Sequence, residues 1–161
     1  MIAILFICHG NICRSPMAEF VMKKMVAETG VADSFYIASA ATTDEEIYRG
    51  VGNPVYPPVR KLLAAEGIDT AGKRATLLRR EDYKKYDFLI GMDAENMYDM
   101  KEIFQGDPEK KCHLLLDYTD HPRNVADPWY TRDFQKTWQD VNEGCRGLLA
   151  YCLALLKKGV H

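Results

Sequence analysis

Long apolar runs are missing from this sequence. The stretch Ile2–Ile7 is too short for a secretory or membrane-spanning segment, has no charged region ahead of it, and is interrupted by Cys8, His9 and Gly10. A cytoplasmic location without membrane contact is therefore expected. Charge bias is also missing: 21 Lys and Arg stand against 23 Asp and Glu, so nothing points to nucleic acid or an acidic membrane. The local basic run from Lys73 to Lys85 is interleaved with Glu81 and Asp82 and reads as a solvated face. No repeat, low-complexity tract or long linker divides the 161 residues, which suit one domain over 1–161. A disulfide framework is missing too: five cysteines, an odd count without framework spacing, suit free thiols in a reducing compartment.

What is present is an ordinary globular balance, 47% hydrophobic and 27% charged. Short β-prone runs alternate with helical ones. Strands are expected at Ile2–Ile7, Phe35–Ser39, Phe88–Met92 and Cys112–Leu116. A helix should begin at Ser15-Pro16, with Ser15 as its cap, and end at Gly30; further helices are expected over Val59–Glu66 and Arg80–Lys85, and from a cap at Asp93 to Phe104. Asp117–Tyr130 reads as a loop. The last helix is the clearest, with Phe134, Trp138, Val141, Cys145, Leu148, Leu149, Cys152, Leu155 and Leu156 at helical spacing. Strands separated by helices predict an α/β fold of three layers, a four-stranded parallel sheet with helices on both faces. Its site should lie at the carboxyl ends of the strands.

The segment in that position is Cys8-His9-Gly10-Asn11-Ile12-Cys13-Arg14-Ser15-Pro16. A loop between strand and helix turns successive N–H groups into a concave anion site, and the helix N-terminus adds its positive end. Gly10 and Asn11 tolerate the left-handed backbone that such a turn uses. Arg14 offers a planar fork for two phosphate oxygens. The same positive surroundings favour thiolate over thiol at Cys8, and the thiolate is the nucleophile. Ser15 either caps the helix, bonds the sulfur, or alternates, and Asn11 is either a turn residue or part of the loop's support. Phosphate transfer to Cys8 expels an oxygen that needs a proton, for which Asp117, Asp120 and Asp127 are candidates. Asp127 precedes Pro128, which restricts its backbone, and Trp129-Tyr130 follow.

This loop resembles the signature of the low-molecular-weight protein tyrosine phosphatases. The likeness continues through Ser39-Ala40-Ala41-Thr42, Gly52-Asn53-Pro54, Glu81-Asp82-Tyr83, Met92-Asp93-Ala94-Glu95-Asn96 and Asp127-Pro128. The resemblance implies hydrolysis of phosphotyrosine in proteins or peptides through a phosphocysteine, with no metal or other cofactor. Cys8 is then the nucleophile, His9–Arg14 the phosphate loop, Arg14 the clamp and Asp127 the general acid and base. It also implies a reversible Cys8–Cys13 disulfide, and a pocket wall of Trp129 and Tyr130, with Tyr48 opposite. The chain departs from the family at Trp129, where Tyr is often found, and at Lys73 and Thr76, where relatives often have His and Arg. Peptide preference and the bracing of the loop are thereby left open.

Three rival activities share parts of this chemistry. Arsenate reduction by a related family needs resolving cysteines, and Lys73–Asp93 has none. Phosphoarginine hydrolysis goes with Thr at the position of Ile12, whose apolar side chain suits an aromatic ring better. A phosphate-sensing module without turnover has no need of Cys8, Arg14 and Asp127 together. A monomer is expected.

Overall fold

The computed structural model describes residues 1–159. Strand β1 (Ile2–Cys8) is the axis of the fold, pairing in parallel with β2 (Phe35–Ala41) on one side and β5 (Phe88–Gly91) on the other. Its continuous apolar run follows from that position, since alternate side chains enter two separate cores. Ile2, Ile4, Phe6 and Cys8 join one core and Leu5 and Ile7 the other. The first is filled by helices α1 (Arg14–Glu28), α2 (Pro57–Ala65) and α6 (Phe134–Lys157), the second by α3 (Asp82–Lys85) and α4 (Ala94–Phe104). Strand β6 (Cys112–Leu114) completes a parallel sheet of order β2-β1-β5-β6 with helices on both faces, as expected.

The sheet order positions the site. The chain leaves β1 toward β2, then crosses back to β5 and β6, so the loops after β1 and β5 diverge and open a crevice between them. Cys8 ends β1, and Asp93 follows β5 beside it.

Several boundaries differ from expectation. Helix α1 starts at Arg14, with Cys13 in the cap position and no side-chain cap, so Ser15 is not its cap. Pro16 is tolerated inside the first turn because N–H groups there have no intrahelical acceptor. The fourth strand stops at Leu114: the Asp117 carboxylate accepts the Leu114 N–H at 3.0 Å, and Leu115–Tyr118 coils into a 3-10 turn. That turn packs against α6, where a Cβ on Gly147 would collide with the Tyr118 carbonyl. Absent from the sequence reading are a small antiparallel hairpin, β3 (Ile47–Tyr48) with β4 (Val51–Gly52), a 3-10 turn at Ala32–Ser34, and the short helix α5 (Pro128–Thr131) within the expected loop. No helix among the described residues is long and apolar enough to cross a membrane.

Candidate active site

The loop between β1 and α1 is held by its carbonyls. Cys8 O accepts from Thr42 N at 3.0 Å, His9 O from Thr43 N at 3.2 Å, Ile12 O from Tyr56 N at 2.9 Å and Cys13 O from Met17 N at 3.1 Å. With these carbonyls engaged by the surrounding protein, the N–H groups of residues 9–13 have no protein acceptor among the described residues. They are free to meet an anion. Asn11 takes the left-handed backbone, φ 59°. Gly10 does not: it matters for room, because a Cβ there would lie 3.1 Å from Glu46 Cγ.

Cys8 Sγ is buried, 3.0 Å from Ser15 Oγ and 3.4 Å from Ser15 N, which donates to it. Arg14, also buried, donates from Nη1 to Asp93 Oδ2 at 2.8 Å and to the Val125 carbonyl at 3.3 Å, and its Nη2 reaches Asp127 Oδ2 at 3.5 Å. Burial works against the guanidinium charge, but Cys8, Asp93 and Asp127 outweigh it and hold its pKa above the usual value. Asp127 also caps α5, its Oδ1 accepting from Trp129 N at 3.0 Å. The fold thus brings Asp127, from a distant part of the sequence, to the loop that carries Cys8, Arg14 and Ser15.

The sequence reading missed Asp93 as an Arg14 partner. Its other oxygen performs the expected cap, accepting from Asn96 N at 2.8 Å, so one carboxylate both starts α4 and fixes the arginine. The sequence reading left the loop's brace open. Asn11 Nδ2 donates to Ser15 Oγ at 2.7 Å and to Ser39 Oγ at 2.9 Å, while its Oδ1 accepts from Thr76 N at 2.9 Å. Ser39 donates to the buried Glu19 at 2.6 Å. Lys73 donates to the Ser39 carbonyl at 3.1 Å and lies 3.5 Å from Glu19; its pKa is lowered, chiefly by burial, with Glu19 opposing. Thr76 supports the loop through its backbone, so its side-chain identity is not what braces Asn11. One signal was available: Ser15, Glu19 and Lys23 recur at spacing four along α1, hence on one face.

A cavity of about 660 Å³ opens above the loop. Trp129 and Tyr130 line it, as does Ile12. Trp129 leans on Tyr56 with ring centroids 4.7 Å apart, whereas Tyr130 is 85% exposed. Tyr48 is a correction: it is not among the cavity's lining residues in the described chain. The β3–β4 hairpin leaves it 71% exposed beside Arg49, and Glu45 and Glu46 occupy that wall instead. At the mouth His9 pairs with Glu45 at 2.8 Å, and His9, Glu95 and Asp99 each bring one ligand-type atom within 4.8 Å of the others. All five cysteines are free and buried. Burial first, then neighbouring Cys8, pushes the Cys13 thiol far up; Cys112 and Cys152 are pushed up to about 12, mainly by burial.

Comparison with known proteins agrees with this geometry. The family model described as low molecular weight phosphotyrosine protein phosphatase matches residues 3–160. The chain is 35% identical over 152 residues to the low molecular weight protein-tyrosine-phosphatase YfkJ of Bacillus subtilis, covering 93% of this chain and 95% of that one. The crystal structure of YfkJ superposes with a TM-score of 0.88 at 34% identity, covering 98% and 96% of the two chains. The Sus scrofa low molecular weight phosphotyrosine protein phosphatase is 34% identical over 154 residues, covering 91% and 93%. The structure of SP-PTP from Streptococcus pyogenes gives a TM-score of 0.80 at 38% identity, covering 94% of this chain and 93% of that one.

Proposed function

This chain belongs to the low molecular weight phosphotyrosine protein phosphatase family, and on that premise we propose that it hydrolyses phosphotyrosine in proteins and peptides, and small aryl phosphates, through a phosphocysteine on Cys8. The observation that carries this reading is the buried Cys8 sulfur at the start of a loop whose N–H groups have no protein acceptor among the described residues, with Arg14 in the same loop and the Asp127 carboxylate 3.5 Å from that arginine. The phosphate oxygens enter the N–H cradle and face Arg14, donors that stay in place as charge develops in the transition state. The Cys8 thiolate attacks phosphorus in line with the leaving oxygen. The S–P bond forms as the P–O(aryl) bond breaks, and protonated Asp127 gives its proton to the departing phenolate. In the second half, the Asp127 carboxylate takes a proton from water, whose oxygen attacks phosphorus. The S–P bond breaks, inorganic phosphate leaves and Cys8 returns as thiolate.

Ile12 and Trp129 give the cavity apolar contact for an aryl ring. Cys13, in the same loop, is the partner of Cys8 in a reversible disulfide that protects the nucleophile from further oxidation. We place the enzyme in the cytoplasm as a monomer, its residues 1–161 forming one catalytic domain whose partners are phosphotyrosine proteins.

The test is a competition among matched phosphotyrosine, phosphoserine and phosphoarginine peptides with reduced enzyme. Phosphotyrosine should be consumed first. A preference for phosphoarginine would reassign the substrate, and no turnover of any ester would overturn the reading. At neutral pH, iodoacetamide should mark Cys8 and spare Cys112 and Cys152, which remain thiols until near pH 12, and inorganic phosphate should protect Cys8.

A further inference from the structure

The two residues ahead of Asp127 are held at every backbone polar group. Val125 N donates to Met92 O at 2.8 Å, just past β5, and Val125 O accepts from Arg14 Nη1 at 3.3 Å. Those bonds come from the site itself. The other two come from α6: Ala126 N donates to Asp140 Oδ2 at 3.0 Å, and Ala126 O accepts from Thr137 Oγ1 at 2.8 Å. Thr137 and Asp140 lie one turn apart on the same face of that helix, and both are buried. A loop that only connects two elements leaves most such groups to water. Here each has a protein partner.

Asp140 is 1% exposed, and burying a carboxylate is costly unless it is both paired and hydrogen-bonded. It is both. Its Oδ1 accepts from Arg123 Nη2 at 2.9 Å and lies 3.2 Å from Lys136 Nζ, while its Oδ2 takes the Ala126 N–H. Arg123 also donates to Glu143 on α6 at 2.9 Å and to the His121 carbonyl at 2.8 Å. This charged set straps the chain from His121 to Ala126 onto α6. An apolar residue at position 140 would spare the burial of a charge, but would leave the Ala126 N–H without its acceptor.

We propose that Thr137 and Asp140 are positioning residues for the proton donor: by holding both backbone groups of Ala126, α6 fixes where the chain enters Asp127 and hence where its carboxylate stands. The proposal rests on the reading of Asp127 as general acid. Beyond Ala126 the acid has little freedom of its own, since Pro128 restricts its backbone and Trp129 N holds Oδ1 at 3.0 Å. Arg14 does not fix it, because Asp127 Oδ2 stands 3.5 Å from Nη2, beyond the usual length of such a bond. A donor acts only within hydrogen-bond reach of the leaving oxygen, and a displacement of about 1 Å can cost about a hundredfold in rate. Neither Thr137 nor Asp140 touches the substrate; each acts through the Ala126 backbone.

The signature of this role is a leaving-group effect. The measurement is kcat/KM for phenyl phosphate and for a nitrophenyl ester, which follows the path from free enzyme through transfer of phosphorus to Cys8. A misplaced donor slows the phenyl ester more than the nitrophenyl ester, whereas a merely less stable fold or a poorer cradle slows both alike. Asp140→Ala should lower the phenyl-to-nitrophenyl ratio about tenfold, and Thr137→Val about threefold. Thr137→Val removes a hydroxyl and no charge, so a fall there separates position from any electrostatic effect of Asp140 on the acid. Thr137→Ser keeps the hydroxyl and should keep the wild-type ratio. In Asp127→Asn the donor is already gone, and adding Asp140→Ala should lower the ratio no further. An unchanged ratio in Asp140→Ala or in Thr137→Val overturns the proposal, as does a fall in Thr137→Ser equal to that in Thr137→Val, or a further fall in the double variant. Should Asp140→Ala fail to fold, the Thr137 pair decides. A wild-type ratio in Asp127→Asn would instead remove the proton donor itself, and the role of α6 with it.

Discussion

The floor of the cavity and its rim are built on opposite principles. On the floor, Cys8, Asn11, Arg14 and Ser15 are each at most 4% exposed, and their side chains are tied to residues from β2, the Lys73–Thr76 segment, the start of α4 and the loop before α5. At the rim, Trp129 is 54% and Tyr130 85% exposed, and what holds Trp129 is contact with Tyr56. Groups that must meet developing charge within a few tenths of an ångström are over-determined, because reorganising them during reaction would add to the barrier. Groups that only sort substrates by their apolar body are left adaptable. A change to the floor should therefore alter chemistry, and a change to the rim should alter affinity.

The widest separation is expected from Cys8→Ser. Turnover should fall by at least about a thousandfold in a steady-state assay, while equilibrium binding of an aryl phosphate persists, because Arg14 and the N–H cradle remain. Appreciable remaining turnover would remove the sulfur from the mechanism. Next comes Asp127→Asn, which keeps the α5 cap but cannot give up a proton. Hydrolysis of phenyl phosphate should slow about a hundredfold or more, and that of a nitrophenyl ester far less, since a good leaving group departs unaided. Equal slowing of both would mean that Asp127 positions rather than protonates.

The smallest effects belong to the rim. Trp129→Ala should raise KM for phosphotyrosine peptides about two- to tenfold with kcat nearly unchanged, the scale of one lost aromatic contact. Tyr130→Ala should do less, given its exposure, and Tyr48→Ala should change neither constant, since that side chain stands off the cavity. A kcat loss in Trp129→Ala comparable with that in Asp127→Asn would break the distinction, because the backbone N–H that donates to Asp127 is kept in that variant and the loss would belong to the side chain itself.

Much of this was legible in the chain itself. The β1 run declared a strand buried on both faces, and the Cys8–Pro16 segment declared the loop, because a local turn into a helix is built from neighbouring residues. Asp127 was one of three candidate carboxylates on residue chemistry alone, and only the family resemblance singled it out. Glu19 went unremarked, and Ser39 entered only as part of a family-like segment, because each is unexceptional in its own segment, a helix acid and a strand serine. Their meaning lies in a 2.6 Å contact across 20 positions. Tyr48 was misplaced because nothing local announces a two-residue hairpin strand.

The amino-acid order alone marked the candidate nucleophile, the candidate guanidinium clamp and the alternation of strands and helices, since each is read from residue type and short-range periodicity. The tertiary structure alone decided which carboxylates reach Arg14, which aromatics wall the cavity, and which residues hold Asn11. Those are questions of distance and hydrogen-bond polarity between segments far apart in the chain. They have no answer until the sheet order sets the ends of β1 and β5 side by side.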